Sequence, residues 1–239
     1  MAPSQGSRTA GVFHAGTLIA NTWLVVDSEG RRTLIDSGHR SERALLLRGL
    51  ARLGVRGRGE LHAVILTHRH SDHAGNAAFL VERFGCQLIG HAADRPFLEG
   101  ERRAERLAGR GAPFVHDALC RVEDAFPARA RVDRVVDDGD AVLGFEVAHV
   151  GGHTEGSILL YHRESETLFT GDALLAGAPV QRVHVRLRLA YSVYSNDAEL
   201  CHANTRAWLR ARPTVARLCA GHGPMVVRDL EAHLARIVP

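Results

Sequence analysis

The clearest absence in this chain is lysine. All 30 basic residues are arginine, because the 239 residues include no lysine. A Schiff-base lysine and the phosphate-binding lysine of a P-loop are therefore excluded. Catalysis has to come from other side chains.

Cysteine and long apolar runs are also scarce. The cysteines are scattered and form no Cys-x-x-Cys pair: Cys86, Cys120, Cys201 and Cys219. This pattern favours buried, reduced thiols, and we expect a cytoplasmic protein. No apolar stretch approaches the roughly 18 residues of a spanning helix, so we expect no membrane association. The first 11 residues lack a basic segment followed by an apolar one, which argues against secretion.

Neither charge sign dominates, since 30 basic residues face 27 acidic ones and the net charge is +3. We therefore expect no nucleic acid partner. A hydrophobic content of 45% is ordinary for a globular protein. The length suits one domain over residues 1–239, and the sequence does not indicate an oligomeric state.

Strands and helices alternate along the chain. The predicted strands are 22–28, 31–38, 61–66, 86–91, 141–150, 157–162, 166–172 and 216–222, and the predicted helices are 41–54, 76–85, 195–211 and 227–238. Ser41 and Asn196 are the expected N-caps of two of these helices. Residues of about 92–131 have weak periodicity, and we expect helices and loops there that cover one edge of the fold, with a substrate wall as one interpretation.

The segment "THRHSDHAG", residues 67–75, places three histidines and an aspartate within six positions. His68 and His70 are two residues apart and can project together from an extended segment. Asp72 and His73 follow where the chain turns toward the next helix. One short loop thus supplies two groups of candidate metal ligands.

Three further candidate ligands lie at or just after the ends of predicted strands: His153, Asp172 and His222. In open α/β folds such positions converge at one end of a sheet. Imidazole and carboxylate ligands without thiolates suit Zn²⁺, with Fe or Mn as alternatives. Five histidines and two aspartates are too many for one tetrahedral ion, so we expect two divalent metal ions with a bridging carboxylate.

The motifs "THRHSDHAG", "GGHTEGS", "FTGD" and "AGHGP", together with the earlier "LIDSG", resemble those of the metallo-β-lactamase-fold hydrolase superfamily, in its glyoxalase II-like or thioesterase-like branch. The resemblance implies an α/β fold, a four-layer αββα sandwich with a two-metal site between the sheets. It assigns His68, His70 and His153 to the first ion, Asp72, His73 and His222 to the second, and Asp172 to the bridge. It also implies that Asp36 lies behind the ligands and helps to orient them, with a turn-forming role as the alternative.

The expected reaction is hydrolysis of a small-molecule ester or thioester by a metal-bound hydroxide. Asp72 is the expected catalytic residue, because its second oxygen can accept and relay a proton. Thioesterases or cyclases that act on tethered polyketide intermediates also fit the ligand set. Antibiotic hydrolysis is not expected, because true β-lactamases usually use other ligands in place of the Asp72 pattern.

Other readings of the same motifs stay open. Persulfide dioxygenases use one iron with two histidines and a carboxylate, which here would be His68, His153 and Asp172. Acyl-homoserine lactonases share the first motif but carry a tyrosine where this chain has Leu175. A non-catalytic binding protein is the third alternative, and the intact ligand set argues against it.

Residues 181–190 alternate apolar residues with His184, Arg186 and Arg188. The favoured interpretation is an amphipathic strand with a solvated basic face. The functional hypothesis is that Arg186 and Arg188, with Tyr191 or Tyr194, line the substrate entrance and bind a carboxylate or a phosphopantetheine phosphate.

Overall fold

The computed structural model describes residues 11–109, 111, 113–178 and 183–238. The strands in these residues are β1 (Gly11–His14), β2 (Trp23–Val26), β3 (Arg32–Ile35), β4 (Ala63–Ile65), β5 (Gln87–His91), β6 (Arg134–Val136), β7 (Ala141–Val142), β8 (Phe145–His149), β9 (Ile158–His162), β10 (Thr167–Gly171), β11 (Leu174–Leu175), β12 (Arg188–Leu189) and β13 (Arg217–Ala220). The helices are α1 (Arg43–Arg52), α2 (Ser71–Ala74), α3 (Ala77–Phe84), α4 (Arg95–Leu98), α5 (Phe114–Ala125), α6 (Ala198–Ala211) and α7 (Leu230–Ala235).

The first half of the chain forms a six-stranded sheet in the order β1-β2-β3-β4-β5-β6. The pairs from β1 to β3 are antiparallel, and those from β3 to β6 are parallel. Parallel neighbours need crossover connections: α1 lies between β3 and β4, α3 between β4 and β5, and α4 and α5 between β5 and β6. The loops after β3 and β4 therefore leave the sheet at the same edge.

The second half forms a five-stranded sheet in the order β13-β10-β9-β8-β7. Its pairs are antiparallel except for β10 and β13, which run parallel, so the loops after these two strands also leave at one edge. A two-stranded sheet of β11 and β12 is separate from it.

Three apolar clusters define four layers. The inner cluster joins the facing sides of the two large sheets, with Ile35 and Ile65 from one and Leu160 and Phe169 from the other. On the outer side of the first sheet, α1 and α3 bury residues such as Leu50. The outer side of the second sheet is covered by α6 and α7. Because side chains alternate between the two faces of a strand, each sheet buries one face against the other sheet and the opposite face against helices. The result is the αββα sandwich that the motifs imply.

Local predictions were wrong at two helix starts. Ser41 lies inside a 3₁₀ turn, Arg40–Glu42, and α1 begins after Glu42 without a side-chain cap. At α6 the N-cap is Asp197 and not Asn196, because the Asp197 carboxylate accepts the Leu200 N–H. Adjacent capping residues compete for one position, and periodicity locates a boundary only to within a few residues.

The predicted strand 141–150 is a tight hairpin of β7 and β8. Leu143 and Gly144 form the turn with positive φ values of 50° and 84°. Positive φ at both central residues matches the right-handed twist of a two-residue hairpin, but a leucine does not signal it. The basic segment 181–190 forms only β12 within its described part, and residues 181–182 lie outside the described residues.

The expected cover at about 92–131 contains α4 and α5, separated by an irregular stretch. Asp124 accepts the backbone N–H groups of Leu107 and Ala108, and Asp117 accepts that of Gly109. These bonds tie the irregular stretch to one side of α5. Among the described residues, no helix combines the length and the apolar character needed to cross a membrane.

Candidate metal centre

The candidate ligands meet at one edge of the sandwich, where strands of both sheets end. The segment 68–73 follows β4 of the first sheet. His153 follows β8, Asp172 follows β10 and His222 follows β13, all in the second sheet. The parallel pairing of β10 with β13 places Asp172 beside His222 although they are far apart in sequence.

The candidate ligands form three groups, and within each group the ligand atoms lie within 4.8 Å of one another. The first, here called the histidine trio, is His68, His70 and His153. The second, called the mixed trio, is Asp72, His73 and His222, and a third group joins His68, His73 and Asp172. The structure thus brings together all seven residues that the sequence motifs selected as ligands.

Asp172 lies between the two trios. Its Oδ1 is 3.2 Å from His73 Nε2, and its Oδ2 is 3.3 Å from His222 Nε2. The same Oδ2 is 3.9 Å from Nε2 of His153 in the histidine trio. This position is the one that a carboxylate bridging two ions would occupy.

Buried nitrogen atoms without partners test whether these residues fit metal ions. Nε2 of His68 and Nε2 of His153 are buried and make no hydrogen bond among the described residues. A buried polar atom of this kind costs about 1–3 kcal/mol unless a ligand satisfies it. Together with a donor set of imidazoles and carboxylates, these atoms fit Zn²⁺, Fe or Mn.

In two rings of the histidine trio, the Nδ1 atom has a partner that fixes the tautomer. Thr67 Oγ1 donates to Asp36, so at 3.1 Å it accepts the Nδ1–H of His68. Ser195 Oγ donates to the Tyr191 carbonyl, so at 3.0 Å it accepts the Nδ1–H of His153. In both rings the lone pair is therefore on Nε2, which faces the centre.

The histidines of the mixed trio are oriented in the same way. Asp36 Oδ2 accepts from His73 Nδ1 at 2.8 Å, and the Ile19 carbonyl accepts from His222 Nδ1 at 2.7 Å. Asp36 was expected behind the ligands, and its carboxylate contacts one of them. Thr67, Ser195 and Ile19 were not found by sequence reasoning. Of these only Thr67, which directly precedes His68, lay inside a motif.

The two trios differ in charge when no ion is present. Burial lowers the pKa values of His68 and His70 well below their ordinary range, and it lowers that of His153 to about 4. These three rings are neutral near pH 7. Their lone pairs are available to a cation without loss of a proton.

The histidines of the mixed trio are basic instead. Burial alone lowers the pKa of His222, but the carboxylates of Asp172 and Asp72 outweigh it and raise that pKa to about 10. The pKa of His73 is raised in the same way, against burial, by Asp72 and Asp172. Without metal, protons on His73 and His222 therefore offset the negative charge of Asp72 and Asp172. A second cation would neutralise the same charge.

A buried aspartate that the sequence did not single out joins the two ligand loops. Asp94 accepts from the Arg69 N–H at 2.9 Å, the Thr154 hydroxyl at 2.8 Å and the Gly156 N–H at 2.8 Å. Arg69 also bonds Glu155 at 2.8 Å. Because these contacts join the loop of His68 and His70 to that of His153, they hold the histidine trio together.

Gly221 allows the close approach of the ligands. A Cβ atom at this position would lie 2.3 Å from Asp172 Oδ1 and 2.6 Å from the His73 ring. Any larger residue would displace a ligand.

Of the four predicted substrate residues, Arg186 precedes β12, Arg188 begins it, and Tyr191 and Tyr194 follow it. Arg186 is exposed, while Arg188 is half-buried and donates to the Tyr191 hydroxyl. Tyr194 bonds His116 of α5, and burial, with further contributions from Cys120, Asp72 and Asp172, raises its pKa to about 12. Val185, Leu187 and Leu189 pack against the second sheet's outer cluster, whereas Val183 is 79% exposed.

A family model described as the metallo-beta-lactamase superfamily matches residues 15–222. This range contains all of the ligands described above, from the first sheet to the loop after β13.

Curated relatives include two hydroxyacylglutathione hydrolases. GloC of Haemophilus influenzae is 32% identical over 162 residues, which are 66% of this chain and 68% of that protein. The Pseudomonas aeruginosa enzyme is 29% identical over 210 residues, 82% of this chain and 63% of its own length. A probable metallo-hydrolase of Bacillus subtilis, YqjP, is 31% identical over 165 residues, and the chain spans only 50% of it.

Solved structures share the architecture. The crystal structure of TTHA1623 in a di-iron-bound form has 28% identity and a TM-score of 0.63, with 94% of this chain and 97% of that chain covered. The B3 metallo-beta-lactamase BLEG-1 has 21% identity and a TM-score of 0.65, with 97% and 98% covered, and this likeness shows the fold alone.

Proposed function

Since the chain belongs to the metallo-beta-lactamase superfamily, we propose that it is a hydrolase that uses two divalent metal ions to cleave a small thioester or ester. The observation that carries the proposal is the position of Asp172 between the histidine trio and the mixed trio. One ion alone would leave one of the two trios without a role.

The histidine trio would hold the first ion, the mixed trio the second, and Asp172 would contact both. Zn²⁺ suits these nitrogen and oxygen ligands best, and Fe or Mn can replace it. When bound, two such ions make a water molecule acidic enough to attack near neutral pH and polarise the carbonyl of the substrate. No serine or cysteine nucleophile is then needed.

The residues of the chain supply orientation and proton transfer. Asp72 Oδ2 lies 3.4 Å from His222 Nε2, while the Asp72 side chain is 28% exposed. Its second oxygen can therefore accept the proton that the attacking water loses and pass it to the leaving group. For the anionic part of the substrate we propose Arg188, which donates to the Tyr191 hydroxyl, and Tyr194, which bonds His116.

The curated relatives support the thioester class. Two of them are named hydroxyacylglutathione hydrolase, and hydroxyacylglutathione carries its acyl group on a thiol. Because this chain spans about two thirds of each of these proteins, the proposal extends to the acyl thioester and not to glutathione as the thiol.

The test combines metal analysis with hydrolysis. We expect about two metal ions per chain by inductively coupled plasma mass spectrometry, and thiol release from acyl thioesters. Asp72→Asn should lower kcat by at least about 100-fold. The matched control is Asp133→Asn, whose carboxylate accepts the Leu88 N–H next to β6 and should leave kcat unchanged.

Three outcomes would contradict the proposal. A single iron per chain with oxygen consumption on a persulfide would indicate a dioxygenase. Ring opening of lactones without cleavage of thioesters or open-chain esters would indicate a lactonase. Two bound ions without hydrolysis of any ester or thioester would indicate a binding protein.

A further inference from the structure

Helix α5 has an exposed apolar face, which is unusual for a helix beside a candidate active site. Five large apolar side chains on or just after it are exposed: Phe114, Val115, Leu119, Val122 and Phe126, of which Phe114 is 89% exposed. Cys120 is the buried residue of this helix. A helix that only covers a fold would turn such residues inward.

Four of these residues form one continuous stripe. Val115, Leu119, Val122 and Phe126 are spaced i, i+4, i+7 and i+11, which places them on one face of a helix. At 1.5 Å per residue the stripe is about 16 Å long. Contiguous exposed apolar surface of this kind marks a binding site more often than scattered single residues do.

The stripe lies next to the metal centre. Leu119 is three residues after His116 and four before Glu123, so the three side chains are neighbours on the helix surface. His116 bonds Tyr194, which precedes the Ser195 that orients His153. Glu123 accepts the Ser71 N–H at 3.0 Å, one residue before Asp72. Glu123 thus contacts the loop that carries Asp72, and His116 contacts the residue before Ser195.

Apolar side chains also border the centre on a second side. Leu18 and Ile19 are exposed, and the Ile19 carbonyl orients His222. Their N–H groups are held by Glu42 at 2.8 and 3.0 Å. Arg40, in the same 3₁₀ turn as Glu42, bonds the Phe126 carbonyl at the end of the stripe. One 3₁₀ turn therefore contacts both the backbone of Leu18 and Ile19 and the end of the stripe.

We propose that the exposed apolar face of α5 binds the acyl chain of the substrate, so that the preferred substrates carry a medium or long unbranched acyl group and not a two-carbon one. This inference rests on the proposed hydrolase function. A second copy of the chain is a poorer occupant, because a standard interface uses roughly 20–30 residues a side and the stripe offers one helix face.

The test is a series of N-acetylcysteamine thioesters with acetyl, butanoyl, hexanoyl and octanoyl groups. For the metal-loaded enzyme we expect kcat/KM to rise at least about tenfold from acetyl to octanoyl, because each methylene that leaves water stabilises the complex. Leu119→Ser and Val122→Ser should each lower the octanoyl-to-acetyl ratio of kcat/KM about threefold or more.

The matched control is Val227→Ser. Val227 is 52% exposed and Val122 is 47% exposed, so both valines start from a similar surface position. Val226 pairs with Leu218, which places Val227 toward the start of β13, away from His222 at its other end. The ratio for this variant should equal that of the unaltered protein.

Failure of the inference and failure of the proposed function give different results. Hydrolysis of the whole series at one kcat/KM would overturn the acyl-chain assignment and leave the hydrolase intact. Absence of hydrolysis throughout would overturn both. A dimer in sedimentation velocity that Leu119→Ser converts to a monomer would assign the stripe to a contact between copies and overturn the inference.

Discussion

Asp36 combines a strained backbone with a buried carboxylate. Its φ is +59°, and its side chain accepts from Thr67 N, Thr67 Oγ1 and His73 Nδ1. Such a conformation costs about 1 kcal/mol or more in a residue other than glycine, and it is tolerated best by aspartate and asparagine. The carboxylate sets the direction in which His73 points.

Asp36→Asn should weaken metal binding while the fold persists. Asparagine accepts the same backbone conformation, but its NH₂ group must face either His73 or Thr67, each of which donates to the carboxylate. We expect a 10- to 100-fold loss of affinity for one of two ions, as is usual when a hydrogen-bond partner of a metal ligand is removed. Competition titration with a fluorescent chelator measures it.

The comparison for this variant is again Asp133→Asn, which should bind both ions as the unaltered protein does. Equal affinities in Asp36→Asn and the control would show that Asp36 only shapes the turn after β3. That was the alternative reading of "LIDSG".

At the level of elements, α5 has fewer anchors than the strands behind the site. Its buried side chain is Cys120, and it is held by polar contacts from Asp117, Glu123 and Asp124 at its edges. The strands β9 and β10 are buried along their whole length. Local opening is easiest where few apolar groups are buried.

Hydrogen exchange should therefore separate these elements. We expect the amides of α5 to exchange at least about tenfold faster than those of β9 and β10 in the metal-loaded protein. Mass spectrometry of peptic fragments measures this difference. Equal protection would mean that α5 opens only with the whole fold.

The sequence was most informative where a residue type has few structural alternatives. One short segment carries His68, His70, Asp72 and His73, and such a cluster has few explanations other than metal binding. Glycine at position 85 ended α3 as expected, with φ of 66°. Ser195, Glu42 and Asp94 could not be found, because serine and carboxylates are common at surfaces and their contacts come from distant parts of the chain. The turn at Leu143 could not be predicted for a different reason, because nothing in its residue type indicates a positive φ.

Across the whole molecule, the candidate metal centre joins two sheets that otherwise share an apolar interface. Removal of metal should lower the melting temperature, because ions that bind only the folded state stabilise it by about 4 kcal/mol at 1,000 times Kd, or roughly 10 °C for a chain of this size. Calorimetry before and after chelation measures the difference. An unchanged melting temperature would contradict the presence of tightly bound ions.

The pH dependence of that difference has a defined sign. In the metal-free protein, His222 with its pKa of about 10 contributes stability that is complete below its ordinary value of 6.5 and is lost as the pH rises toward 10. A cation must displace this proton, so metal affinity increases over the same range. The gain in melting temperature on metal binding should be larger at pH 8 than at pH 6.

The order of the ligands along the chain has a consequence for biosynthesis. A ribosome that has made β4 and its loop has produced His68, His70, Asp72 and His73, yet the histidine trio lacks His153 and the mixed trio lacks His222. On the proposed assignment, the first ion would find its three histidines only after β8 of the second sheet has been made, and the second ion only after β13. On this assignment, the second ion would therefore bind only after nearly the whole described chain has been translated.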